Sequence, residues 1–366
     1  MRRKHIGFLI GNISSKGGAE RTFSLIANGL IDYYDITVIS YVYGEKSAYH
    51  LDNRVKVKFL FHKNDKQRER YVLKPFYFSK LRNEIKLFDC IVVVSSAAAL
   101  GLLCTTWMRN LKVITWEQTS FANKMYMSFK RIILQRIAFL WSDYFISLTN
   151  ANLKLIKNCI FSKSKYVAIY NAVDENLLNN KVCYDASSTQ IITFARIERV
   201  KGLDILVEVA AKVLKMHPEW TWKIYGQIDD KAYFEELNKM ITDYDLTNQL
   251  HFCSPVDDII SVLSKSSIYV MTSRYEGLPM SLLEAKAMKL PSVAFDCPTG
   301  PSEIIQDGVN GYLIPCYDVG IMSEKICDLI SNKNKRKIYS DNAIKNMDKF
   351  RLKNIVQAWR DLLGEC

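Results

Sequence analysis

Two glutamates eight positions apart, Glu276 and Glu284, stand in the run Ser273-Arg-Tyr-Glu276-Gly-Leu-Pro-Met-Ser-Leu-Leu-Glu284. The run reads as a loop ending at Pro279 and a helix over Met280–Met288. That places Glu276 in the loop and Glu284 little more than one turn inside the helix. The free N–H groups at a helix start attract anions, phosphate above all. Ionised carboxylates only accept hydrogen bonds, so a pair of them suits a ligand rich in hydroxyls. One glutamate can grip a sugar and the other a ribose, with a diphosphate between them. The same residues also fit a solvated loop followed by a first helical turn favoured by the helix dipole, so the rest of the chain must decide.

Two further segments carry compatible chemistry. Phe194-Ala-Arg196-Ile-Glu-Arg-Val-Lys201-Gly sets two cations five positions apart around a strand–helix turn. An arginine fork and a mobile lysine can neutralise a diphosphate together without a metal; solvated surface charge is the alternative. Gly11-Asn-Ile-Ser-Ser-Lys-Gly17-Gly18-Ala-Glu-Arg21 follows the first strand, where glycine lets backbone approach a ligand at a helix start. It lacks the dinucleotide Gly-x-Gly-x-x-Gly and the P-loop ending. Asp296-Cys-Pro-Thr-Gly300-Pro-Ser-Glu303, continuing through Gly308 and Gly311, reads as tight loops, with Asp296 and Glu303 as structural acceptors or caps.

The elements that must hold these segments alternate between short β-rich runs and helical patterns. Strands are expected at His5–Ile10, Asp35–Ser40, Val55–Leu60, Cys90–Val94, Lys112–Thr115, Tyr144–Leu148 and Tyr166–Tyr170. Helices are clearest at Ala19–Leu30, Met127–Trp141 and Asn150–Cys159. After a polar stretch, Asn176–Gln190, the alternation restarts: strands at Ile191–Ala195, Trp220–Tyr225, Leu250–Cys253, Ile268–Thr272 and Ser292–Phe295, helices at Gly202–Met216, Lys231–Tyr244 and Met280–Met288. This is the pattern of α/β doubly wound parallel sheets. Two Rossmann-like domains facing a cleft are expected, over 1–175 and 176–341, with 342–366 as a helix crossing back to the first. Ligands of open α/β sheets bind beyond the carboxyl ends of the strands, where every segment above falls.

With those residues in view, the chain resembles a bacterial family 4 glycosyltransferase of the retaining GT-B type. The resemblance covers nearly the whole chain. It rests on Gly17-Gly-Ala-Glu-Arg21, on Arg196 with Lys201-Gly202, on the Glu276/Glu284 pair with Glu-Gly-Leu-Pro, and on Asp296-Cys-Pro-Thr-Gly-Pro. In detail it is most similar to enzymes that build O-antigen, lipopolysaccharide, capsule or N-glycan chains on a lipid carrier. The resemblance implies that Gly17 and Gly18 approach the donor phosphate, and that Arg196 and Lys201 bind the diphosphate and stabilise the leaving nucleotide. It implies that Glu276 contacts the transferred sugar and Glu284 the ribose. Backbone N–H groups of Gly277, Leu278, Pro279 and Met280 would surround the phosphate as far as each has one, proline having none, and backbone near Val256 would face the base. The donor is a nucleotide sugar, UDP rather than GDP by the resemblance. No cofactor and no metal are expected, since we see no Asp-x-Asp motif that would hold a divalent ion and the Arg196/Lys201 pair takes its place. One departure stands out. Related enzymes carry a His after a Glu in the first domain, whereas here Val113-Ile-Thr-Trp-Glu117-Gln118 has Gln118 in that place. Glutamine can bond a sugar hydroxyl but takes no proton at neutral pH, so Gln118 would only orient the donor; Glu117 fits either a buried structural acceptor or a ligand contact.

Charge suggests where the acceptor lies. The formal net charge is +12. Residues 1–172 hold 27 Lys and Arg against 11 Asp and Glu, and the remaining residues 23 against 27. The basic half points to an anionic partner. Lys124, Lys130, Arg131 and Arg136 decorate the amphipathic stretch Met125–Trp141, and His62–Tyr71 adds more cations, both suited to an anionic leaflet. A glycan acceptor on a lipid diphosphate fits this balance, as does a cytoplasmic protein held on the inner face of the cytoplasmic membrane. Nine scattered cysteines without a metal spacing agree with reduced structural thiols. No apolar run reaches the length of a span, and the start lacks a signal-peptide core. An epimerase-like nucleotide-sugar enzyme of the same fold is the alternative. A phosphorylase would need a pyridoxal-phosphate lysine site and a longer chain. A basic nucleic-acid-binding module fits poorly, because no recognition helix or stacking motif accompanies the cations.

Overall fold

The computed structural model describes residues 2–42, 44–60, 75–94, 111–121, 140–159, 163–180 and 184–365. Two compact units emerge: Met1–Ala172 with Lys349–Cys366, and Val173–Asp348.

The first unit contains seven parallel strands: β1 (His5–Ile10), β2 (Asp35–Ser40), β3 (Lys56–Phe59), β4 (Cys90–Val94), β5 (Lys112–Glu117), β6 (Tyr144–Ser147) and β7 (Lys165–Ala168). Their order is β3-β2-β1-β4-β5-β6-β7. Runs such as Cys90–Val94 are buried at every position, as expected of strands covered on both faces. The helix Leu352–Glu365 completes this core. Its Trp359 is fully buried, edge-on to Trp116 at 4.9 Å and tilted on Phe8 at 6.2 Å.

The second unit contains β8 (Gln190–Phe194), β9 (Thr221–Tyr225), β10 (Leu250–Cys253), β11 (Ile268–Met271), β12 (Ser292–Phe295) and β13 (Gly311–Ile314), all parallel, in the order β10-β9-β8-β11-β12-β13. The helix Leu203–Met216 buries Leu206, Val209, Ala210 and Val213 in a core that includes Trp222 and Tyr233. In each sheet the chain winds outward one way, returns to the middle and winds out the other way. The reversal falls between β1 and β4 in one sheet and between β8 and β11 in the other. Such a switch point opens a crevice above the carboxyl ends of the two strands that flank it.

The structure adds elements to the sequence expectation. Gly311–Ile314 is a strand rather than a loop, paired to β12 with Phe295 opposite Ile314. Four residues beginning with glycine carry too little periodicity to announce a strand; the exposed edge of β12 makes it one. The stretch expected as a linker opens with a helical turn, Glu175–Leu178, capped where the Asp174 side chain accepts from Asn176 N. Helices at Val319–Ser331 and Lys333–Asn342 also form. The basic segments at 62–71 and 124–139 lie outside the described residues; of Met125–Trp141 only Leu140 and Trp141 are described, and both are exposed. Among the described residues, no helix is long and apolar enough to cross a membrane.

Candidate active site

In the second unit the residues singled out by sequence follow the two strands at the switch point. β8 delivers Arg196 and Lys201, and β11 delivers Glu276. Between Arg196 and Lys201 the chain makes a short 3-10 turn, Arg199–Lys201, that ends on Gly202 at φ 62°. Glycine is required there on two counts. The backbone is left-handed, and a Cβ would stand 2.2 Å from the carbonyl oxygen of Thr272. The loops that follow β8 and β11 are therefore in direct backbone contact, with the Thr272 hydroxyl also donating to the Lys201 carbonyl at 3.2 Å.

This contact aims Lys201 at Glu276. Nζ lies 2.9 Å from Oε1, and both side chains are largely buried. Arg196 is mostly exposed, with one guanidinium nitrogen 2.9 Å from Asp229 and the other 2.7 Å from Glu198. Both cations read from the sequence are thus engaged by carboxylates, and an anion that binds here exchanges partners with them.

The helix after β11 begins at Met280 and runs to Ala287, with Pro279 as its N-cap. Pro279 offers no side-chain cap, and the first N–H groups of a helix lack intrahelical partners. Glu284 is buried one turn in. Three residues that the sequence did not single out tie this corner together. The Tyr269 hydroxyl donates to Ser281 at 2.8 Å; burial pushes its pKa up, and the carboxylates of Glu276 and Glu284 push the same way. The Thr299 hydroxyl donates to the Glu276 carbonyl. Cys297, fully buried, has its thiol pushed up by burial and by the nearby Glu276 carboxylate. Gly300, at φ 105°, brings this third loop against Pro279, where a Cβ would stand 2.6 Å from Cδ. Cys297, Thr299 and Gly300 belong to the segment read from the sequence as tight loops; that this loop packs against Glu276 and Pro279 was not visible in its spacing, because β12 intervenes. Val256, half-buried, follows β10 on the same sheet edge, two strands from β8.

In the first unit, Gly17 and Gly18 stand at the start of the helix Gly18–Leu30, above the end of β1. Gly17 is extended, at φ −136°, and Gly18 is not among the glycines with positive φ. Neither is there for a left-handed turn; at Gly17 the missing side chain leaves room for the Glu20 carboxylate, whose Oε2 would stand 2.4 Å from a Cβ. Gln118 lies just past β5, and its Oε1 accepts from Asn171 Nδ2 at 3.3 Å. Gln118 Nε2 and Asn171 Oδ1 are both buried without a hydrogen-bond partner among the described residues. Glu117 is a buried acceptor: its Oε1 takes the Thr119 N–H at 3.1 Å and hydroxyl at 2.7 Å.

Two parallel-sheet units, each with its polar residues at a switch point, define the GT-B class, and solved structures agree. HepE from Anabaena, solved in complex with UDP and glucose, matches with a TM-score of 0.84 over 99% of this chain and 100% of its own, at 20% identity, a likeness of fold. Residues 16–177 match the model of Glycosyltransferase Family 4, and residues 180–346 that of Glycosyl transferases group 1. Among full-length relatives, an uncharacterized glycosyltransferase of Haemophilus influenzae is 29% identical, covering 98% of this chain and 100% of its own. The amylovoran biosynthesis glycosyltransferase AmsD of Erwinia amylovora is 28% identical, covering 97% and 98%. The chain is thus a glycosyltransferase with a Family 4 segment followed by a group 1 segment.

Proposed function

We propose that this glycosyltransferase moves a hexose or N-acetylhexosamine from a UDP-sugar to a growing glycan, with retention at the anomeric carbon and without a metal ion. The observation that carries the reading is the gathering of Arg196, Lys201, Glu276 and Glu284 at the switch point, beside an uncapped helix start.

Each part has a task. Glu284 accepts the ribose hydroxyls. Arg196 and Lys201 leave their carboxylate partners for the diphosphate, and the N–H groups at Met280 and beyond add backbone donors. Glu276, released from Lys201, accepts hydroxyls of the transferred sugar. Val256 borders the base, and Gly17 and Gly18 leave room above β1. Gln118 orients the donor through its amide. In the transfer, the bond from the anomeric carbon to the diphosphate oxygen breaks and the acceptor oxygen bonds to that carbon from the same face. The acceptor proton passes to the leaving phosphate. Negative charge grows on the diphosphate as its bond breaks, and cations already in position stabilise it there.

The acceptor is a lipid-diphosphate-linked or lipopolysaccharide or capsule glycan at the inner face of the cytoplasmic membrane. The excess of cations in residues 1–172 supports an anionic surface, and a relative named for amylovoran biosynthesis supports a polysaccharide product. Ligand-induced melting shifts across UDP, GDP and their sugars, in EDTA, test the donor site on the wild type and Glu284→Ala. A ligand that binds only the native state raises the midpoint. A shift with one nucleotide that survives EDTA and is lost in the variant is expected. No shift with any of them sinks the donor-site assignment.

A further inference from the structure

Lys201 and Glu276 sit on separate loops, and something must hold those loops in register. Asp204, in the first turn of the helix Leu203–Met216, and Arg274, two residues before Glu276, form a two-pronged ion pair: Nη1 to Oδ1 at 2.9 Å and Nη2 to Oδ2 at 2.6 Å. Tyr233 completes the carboxylate. Its hydroxyl donates to Asp204 Oδ1 at 2.6 Å and accepts from Asp204 N at 2.9 Å. Arg274 also donates from Nη1 to the Arg199 carbonyl at 2.6 Å and from its backbone N to the Val200 carbonyl at 2.9 Å. The one side chain therefore fastens both ends of the 199–204 turn that carries Lys201. Only 15% of the Arg274 side chain and 26% of the Asp204 side chain are exposed, so solvent and salt compete weakly for the pair. A lysine could not make these bonds together, because its ammonium has no planar fork.

We infer that the Asp204–Arg274 pair is a positioning clamp that sets Lys201 against the donor diphosphate. The inference rests on the donor-site reading above. Arg274 touches no substrate in this scheme; it acts through Lys201.

The test uses the full chain and whichever of UDP and GDP shifts the wild-type melting midpoint, each compared with its own monophosphate by titration calorimetry. Lys201→Ala should weaken the diphosphate at least about tenfold while the monophosphate changes less than about threefold, the loss of one charge-assisted bond. Arg274→Gln should do the same, and adding it to Lys201→Ala should cost nothing more, as expected of residues that act as one. Arg274→Lys, which keeps the charge for folding, should show the same selective loss and serves if the glutamine variant does not fold. Additive losses, or equal weakening of monophosphate and diphosphate together with a lowered melting midpoint, would mean a merely structural role and overturn the clamp. If Lys201→Ala itself leaves diphosphate affinity unchanged, the donor-site reading fails first. If Lys201→Ala loses affinity and both Arg274 variants keep it, only the clamp fails.

Discussion

Replacing Lys286 with methionine should flatten the pH dependence of stability between neutral and alkaline pH. Lys286 lies on the same helix as Glu284, is fully buried, and donates to the carbonyl of Asn310. Burial drives its ammonium down from 10.5 to about 7. The unfolded chain keeps the proton up to its ordinary value, while the folded chain gives it up near neutrality. The unfolded state therefore binds more protons across this window, and stability rises with pH from about 7 towards 10.5. At ~1.4 kcal/mol per pH unit the whole interval amounts to about 5 kcal/mol. Between pH 7 and 9, with the folded amine half-protonated at the start, the gain is about 2 kcal/mol. For a unit of this size that moves the melting midpoint by roughly 5 °C. Lys286→Met fills similar volume and carries no proton. It leaves the Asn310 carbonyl without this donor, a cost of about 1–3 kcal/mol, but that cost does not depend on pH. Midpoints by circular dichroism for both proteins at pH 7, 8 and 9 give the difference directly, since other titrating groups are common to both. The wild type should gain roughly 5 °C relative to the variant over that range. Parallel curves would refute the argument and show that Lys286 stays charged in the fold.

Two further outcomes follow from the geometry. Asp229→Asn removes one of the two carboxylates holding Arg196 and should tighten nucleoside diphosphate binding about two- to fivefold, more at low salt, because the pair it breaks is solvent-exposed and weak; weaker binding by calorimetry would make Asp229 a ligand contact instead of a competitor. Trp359→Ala empties a fully buried site between Trp116 and Phe8 and should cost about 3–5 kcal/mol; a loss under about 1 kcal/mol in denaturant unfolding would mean that the helix Leu352–Glu365 is not part of the first unit's core.

The fold was legible because its strands are continuous apolar runs. His5–Ile10, Cys90–Val94 and Ser292–Phe295 are buried on both faces, and such runs stand out against the amphipathic helices between them. Gly311–Ile314 was not legible, since its strand state comes from pairing to β12 rather than from its own residues. Within the site, Arg196, Lys201 and Glu276 were readable as chemistry on turns that follow strands, and Glu284 as chemistry in the helix that comes next. Their partners were not. Asp204 and Arg274 are 70 positions apart, and each looks like surface charge until the loops after β8 and β11 are placed side by side. Thr299 and Cys297 join the site only because β12 is the next strand over.

The sequence alone determined which residue types sit at strand ends: carboxylates that accept from hydroxyls, cations suited to an anion and a helix start are local properties of short segments, and the proposed ligand is read from them. It determined the parallel α/β class as well, because alternation and burial are written into each run. Tertiary structure decided who faces whom. It paired Lys201 with Glu276, occupied Arg196 with Asp229 and Glu198, set Glu117 Oε1 against Thr119, and buried Lys286 until it gives up its proton near neutrality. The physical reason is that a charge's partner and solvation depend on strand order and on the close approach of loops, here fixed by the left-handed Gly202 against Thr272, and neither is encoded in the spacing of residues along the chain.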